Sequence, residues 1–150
     1  MINRLRVRAQ SESGFTLVEL LVVMLILGLL AAIAIPAFFN QRAKAQDAEA
    51  KSAAKTVQTA LETYATDNNG KYTGATPALL KAIEPTIVTT GGTGGSIQTL
   101  TPSASGYTIV INSDSGTANT FSIIRSSTGS LTYPCGSPGN GGCPASGDWG

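Results

Sequence analysis

At 150 residues, with 42% hydrophobic and 13% charged side chains, the chain has room for one small domain with its own core and not for two. Lys and Arg number 10 against 9 Asp and Glu, a net charge of +1, which gives no basic surface for a polyanion. Histidine is absent, which removes the commonest general base and the commonest metal ligand.

Residues 1–14, MINRLRVRAQSESG, make a short polar lead in which Arg4, Arg6 and Arg8 form the one dense basic run. From Phe15 to Phe39 the chain is almost uninterruptedly apolar, with Thr16 and Glu19 as its polar residues before Pro36. About 20 apolar residues rising ~1.5 Å each cover the ~30 Å hydrocarbon core of a bilayer. The arginines ahead of the span predict a cytoplasmic N-terminus, with everything after Phe39 outside. A cleavable secretory signal is the competing reading. It fits poorly, because the run is long for such a signal and no A-x-A-like site closes it.

Helical character continues past the apolar run. Ala50, Ala53, Val57, Ala60, Leu61 and Tyr64 recur at three- and four-residue steps and mark one helix face, with Lys51, Lys55, Thr59 and Glu62 on the other. Asp47 and Lys51 read as a favourable i,i+4 pair. Asn68-Asn69-Gly70 is a stop signal. The pattern predicts one helix of about fifty residues from near Thr16, kinked or loosened at Pro36, which lacks an amide hydrogen.

Beyond it, Thr76–Ile83 reads as a helical turn ended by Glu84-Pro85, and Gly91–Gly95 as a loop. Alternation in Gly106–Ser113, Thr120–Ser126 and Leu131–Cys135 predicts antiparallel strands, with Ser96–Leu100 as a short fourth. The helix stripe is the apolar partner those strands need. Cys135 and Cys143 bracket GSPGNGG, consistent with one disulfide in an oxidising compartment. Metal binding is the other reading of the pair and lacks companion ligands. The acids Glu84, Asp114 and Asp148 are too few for a calcium site, and Trp149 reads as a docking aromatic.

The segment Ser13–Phe38, SGFTLVELLVVMLILGLLAAIAIPAF, resembles the prepilin signature shared by type IV pilins, type II secretion pseudopilins and competence pilins. The resemblance implies an α+β pilin fold, a long N-terminal transmembrane and amphipathic helix packed on a small antiparallel sheet. It implies cleavage between Gly14 and Phe15 by a prepilin peptidase, followed by N-methylation of Phe15. Glu19 falls on the glutamate and Pro36 on the helix-loosening proline that the family uses in assembly. A C-terminal disulfide between Cys135 and Cys143 also suits it. The implied organisation is a cytoplasmic leader over 1–14, a transmembrane or filament-core helix over 15–40, and an extracytoplasmic head over 41–150. Within the head, the helix continues over 41–67, a loop spans 68–105, and the sheet and disulfide tail occupy 106–150.

The partners implied are copies of the chain itself, the prepilin peptidase, an inner-membrane assembly platform and a cytoplasmic ATPase. A single-pass membrane precursor would become a cell-surface filament, without cofactor, metal or nucleic acid. The alternatives are a pseudopilin or DNA-uptake subunit and, from another class, a membrane-anchored enzyme or extracytoplasmic binding domain. Against an enzyme stand the missing histidine, phosphate loop and closely spaced carboxylate pair.

Overall fold

The computed structural model describes residues 14–117 and 119–150; Arg4, Arg6 and Arg8 of the expected leader lie outside the described residues. The leading element is α1, Leu17–Asp67, a helix of 51 residues. Alanine and leucine recur along it and favour the helix despite its β-branched valines, isoleucines and threonines, and Gly28 is its one internal glycine. The helical backbone runs unbroken through Pro36, so the expected loosening does not take the form of an interruption. Proline removes one hydrogen bond from the ladder, and the turns on either side keep theirs.

The chain divides into two compact units, Met1–Ala37 and Phe38–Gly150. In the first, the described residues are the coil Gly14–Thr16 and the start of α1. Its large apolar side chains lie open, from Val22 at 44% exposure to Phe15 at 81%. Burying a side chain of that size is worth about 1.5–3 kcal/mol, so this stretch is stable only where lipid or protein covers it.

The second unit packs the rest of α1 on a sheet. Helix α1 stops at Asn68-Asn69-Gly70, where Asn69 and Gly70 take φ of 57° and 74° and the Gly70 amide returns to the Ala65 carbonyl at 2.7 Å. A short helix α2, Pro77–Ile83, follows, capped by Thr76, whose hydroxyl accepts from the Leu79 amide at 3.3 Å. Four strands then run β1 Ser96–Pro102, β2 Tyr107–Asn112, β3 Thr120–Arg125 and β4 Leu131–Thr132, antiparallel and in sequence order across the sheet.

Tyr107, Ile109 and Ile111 of β2 and Phe121 and Ile123 of β3 turn inward onto Ala50, Ala54, Val57, Ala60, Leu61 and Ala65 of α1. Tyr64, expected in that stripe, lies half-buried at its margin with its hydroxyl on the Thr73 carbonyl at 3.2 Å. In β1 the register slips between Ile97 and Thr99, so both Ile97 and Leu100 find inward partners, Ile111 and Ile109. The bulge breaks the alternation that a regular strand would show.

The last strand is shorter than expected. Pro134 has no amide to offer the ladder, and β4 ends at Thr132. Pairing resumes as single bridges, Phe121 with Cys135 and Pro134 with Asp148, which hold the tail beside β3.

The polar face expected of α1 is kept at Lys55 and Thr59, which are exposed, and is half-buried at Lys51 and Glu62. Glu62 accepts from Tyr72 Oη at 2.7 Å and Tyr107 Oη at 2.9 Å, and Arg125 Nη1 stands 3.7 Å away. Burial, followed by that carboxylate, raises the pKa of both tyrosine hydroxyls above its ordinary value and keeps them donors. Lys51 donates to the Gly142 carbonyl at 2.6 Å. Its ammonium also lies 5.2 Å from the ring centroid of Phe121, while that of Lys55 lies 3.9 Å from Tyr133. Lys51 and Glu62 thus fasten α1 to the tail and the sheet, while Lys55 and Thr59 stay exposed.

Candidate functional site

The N-terminal site is built on a capping box. Thr16 immediately precedes the first helical residue, and Glu19 stands three residues on. Glu19 Oε2 accepts from the Thr16 amide at 2.9 Å and from Thr16 Oγ1 at 2.8 Å, while the Glu19 amide donates back to Thr16 Oγ1 at 3.2 Å. This holds the carboxylate one residue from Phe15. Gly14 and Phe15 lie in coil just outside the cap, and among the described residues nothing stands within 4 Å of where a Gly14 Cβ would be. Gly14, Phe15 and Glu19 therefore share one short, open segment. Pro36 sits farther along α1 and is not gathered into it. The T-x-x-E spacing of Thr16 and Glu19 is the sequence signal for this cap.

A second polar constellation lies where α1 first becomes buried. Asp47, the N-terminal-most buried residue of the helix, is fully enclosed. Its Oδ1 accepts from Ser113 Oγ and Ser115 Oγ, each at 2.6 Å. Its Oδ2 accepts from Asn119 Nδ2 at 2.8 Å and the Gly142 amide at 2.7 Å. Burial pushes the carboxyl pKa up, but the hydrogen bonds from Gly142, Ser113, Ser115 and Asn119 outweigh it and hold the group below the usual aspartate range. The expected Asp47–Lys51 pair is not formed. Asp47 turns inward to the β2–β3 connection and the tail, and Lys51 reaches the same tail at the Gly142 carbonyl.

Cys135 and Cys143 are bonded to each other, with Cα atoms 5.8 Å apart. Their loop presses on Asp47 closely enough that a Cβ at Gly142 would fall 2.8 Å from the Asp47 Cβ. Beside it Trp149 rests edge-on against Tyr133 and Phe121, at 5.4 and 5.9 Å between centroids, and donates Nε1 to the Ser122 carbonyl at 3.2 Å.

A long apolar helix bare at its N-terminal end, with a small α+β head built on the remainder, is a pilin-like architecture. Residues 10–35 match the family described as the prokaryotic N-terminal methylation motif, a span that takes in Gly14, Phe15 and Glu19 and stops one residue short of Pro36. The chain is 47% identical over 51 residues to the type IV major pilin protein PilA of Myxococcus xanthus, covering 34% of this chain and 23% of that one. It is 41% identical over 58 residues to the type II secretion system core protein G of Aeromonas hydrophila, covering 39% and 41%. To fimbrial protein Q of Moraxella bovis it is 36% identical over 88 residues, covering 55% and 52%.

The chain thus spans about a quarter to a half of the length of these relatives. No solved structure matches it significantly. The motif and these similarities, which lie in the N-terminal part of the chain, support the type IV pilin and type II secretion pseudopilin superfamily.

Proposed function

We propose that the chain is the precursor of a type IV pilus subunit of the major kind, a structural protein and not an enzyme. It inserts as a single-pass membrane protein with residues 1–14 in the cytoplasm, 15–40 as the span and later filament core, and 41–150 as the head outside. A prepilin peptidase cuts between Gly14 and Phe15 and methylates the new amine. An assembly platform and its ATPase then add the subunit to a growing helical fibre at the cell surface. The observation that carries this reading is the open Gly14-Phe15 coil running directly into a capped helix whose apolar side chains are bare.

Glu19 supplies the assembly signal in this reading. A carboxylate within hydrocarbon costs about 2.5–3.5 kcal/mol on insertion scales, a cost that a cationic partner offsets. Cleavage creates an α-ammonium on Phe15, the residue next to the amide that Glu19 already holds. The corresponding amine of a neighbouring subunit can pair with Glu19 and check axial register, because a misplaced subunit would bury an unpaired charge. Pro36 leaves one carbonyl without its helical donor, a point where the helix can yield on packing.

Intact-mass analysis of the membrane form tests the proposal. The expected product starts at methylated Phe15, and Gly14→Val leaves uncut precursor; cleavage elsewhere, or normal cleavage of that variant, would overturn it. The likeness to protein G supports a second reading, a type II secretion pseudopilus, and a DNA-uptake pilus is a third. Deleting the gene separates them. Loss of surface fibres supports the pilus, while loss of protein export or of DNA uptake with fibres intact supports one of the others.

A further inference from the structure

Between its cysteines, which join the hydrophobic core, the disulfide loop meets α1 and the β2–β3 connection through polar contacts. Gly142 gives its amide to Asp47 and its carbonyl to Lys51, and the Asn140 carbonyl accepts from Asn119 Nδ2 at 3.1 Å. Neither cysteine is open to solvent, Cys135 being 9% and Cys143 3% exposed. Gly136–Gly142 carries no large apolar side chain that could hold the loop down by burial. Gly141 adopts φ of 55°, and a Cβ there would collide with the Asp47 carboxylate, so the loop is shaped to bring backbone against that side chain.

We propose that Asp47 is the catch of a redox latch: its carboxylate, by holding the Gly142 amide, keeps the Cys135–Cys143 disulfide closed to reductants and fastens the tail to α1 at its first buried turn. A reductant reaches the sulfur atoms only when the loop lifts, and lifting breaks the bond to Asp47. Shielding therefore depends on a residue remote in sequence from both cysteines. The latch goes beyond the filament reading and holds or fails independently of it.

A water-soluble trialkylphosphine is the probe. Phosphorus attacks one cysteine sulfur and the S–S bond breaks. Water supplies the oxygen of the phosphine oxide and the two protons, and two thiols result. The full chain in detergent micelles is treated at neutral pH, and free thiols are counted by mass after alkylation. Asp47→Asn, which replaces an acceptor oxygen by a donor facing the same amides, is expected to speed reduction about tenfold or more. Ser115→Ala, which removes one of the carboxylate's four donors, is expected to fall between it and the parent. Circular dichroism establishes that each variant keeps its fold.

Hydrogen exchange at Gly142 reads the latch without any substitution. Its amide is expected to be protected in the oxidised parent and to lose protection on reduction. Parental reduction rates in a folded Asp47→Asn, or in Ser115→Ala, would overturn the latch. So would an unprotected Gly142 amide in the oxidised parent. If Asp47→Asn does not fold, Ser115→Ala and the Gly142 amide decide the matter.

Discussion

Glu19 and Asp47 are both acids on α1, and their surroundings give them opposite tasks. Glu19 satisfies its own helix start and stays open, available to a second charge. A capping contribution and a pairing contribution can be told apart by substitution. Glu19→Gln keeps an acceptor for the Thr16 amide and loses the charge, whereas Glu19→Ala loses both. If charge pairing governs assembly, both variants insert in the membrane and both lose sheared fibres. Wild-type fibre yields from Glu19→Gln would reduce Glu19 to a cap.

Asp47 is closed, and its effect belongs to stability. Because its folded pKa is lowered, its contribution is fully present above the unfolded value near ~3.9 and is lost as pH falls through the folded value. Asp47→Asn is expected to cost about 1–3 kcal/mol at neutral pH, since amides that met a carboxylate now meet an amide. The variant should also lose the part of the acid-induced destabilisation that Asp47 supplies. Urea unfolding of the oxidised chain at pH 7 and near pH 3 measures both.

At the scale of elements, α1 and the inner strands were legible because their side chains obey simple periods. Tyr107, Ile109 and Ile111 alternate on β2, and Val57, Ala60 and Leu61 repeat along the helix. Strand β1 was only partly legible, since the bulge after Ile97 puts Ile97 and Leu100 on one face against the expected alternation. The Asp47 cluster was not legible. Its partners Ser113 and Gly142 stand 66 and 95 positions away, and a local i,i+4 reading cannot see them. The capping box of Thr16 and Glu19 went unread, because the apolar run around it draws the eye to membrane spanning instead.

One element-level close approach is sharp enough to test. Gly95, just before β1, has φ of 92°, and a Cβ there would lie 2.8 Å from the Ala50 Cα. Gly95→Ala is expected to destabilise the head by about 1–3 kcal/mol, through both the backbone conformation and the helix it would strike. Equal urea midpoints for parent and variant would show that the loop shifts freely away from α1.

For the whole molecule, the division at Ala37 and Phe38 separates an uncovered apolar helix from a unit with its own core. A chain beginning at Phe38 is expected to stay in solution without detergent and to unfold cooperatively. The full chain under the same conditions is expected to pellet. Electron microscopy of that pellet distinguishes ordered fibres from amorphous aggregate. A truncated chain that also precipitates would show that the head needs the apolar segment for more than anchorage.

The chain contains one tryptophan, and it lies at the far end of the tail. Trp149 is wedged between Tyr133 and Phe121, with the ammonium groups of Lys55 and Lys51 at 5.4 and 5.9 Å from its ring centroid. Intrinsic fluorescence excited at the indole band therefore has a single source, and nearby ammonium charge and a carbonyl acceptor set its colour. The emission will shift to the red when the tail lifts, even while the sheet and helix beneath stay folded. Far-ultraviolet circular dichroism will follow the helix in the same sample. The protein thus carries its own optical gauge, in which a gap between the two signals measures how independently the tail moves.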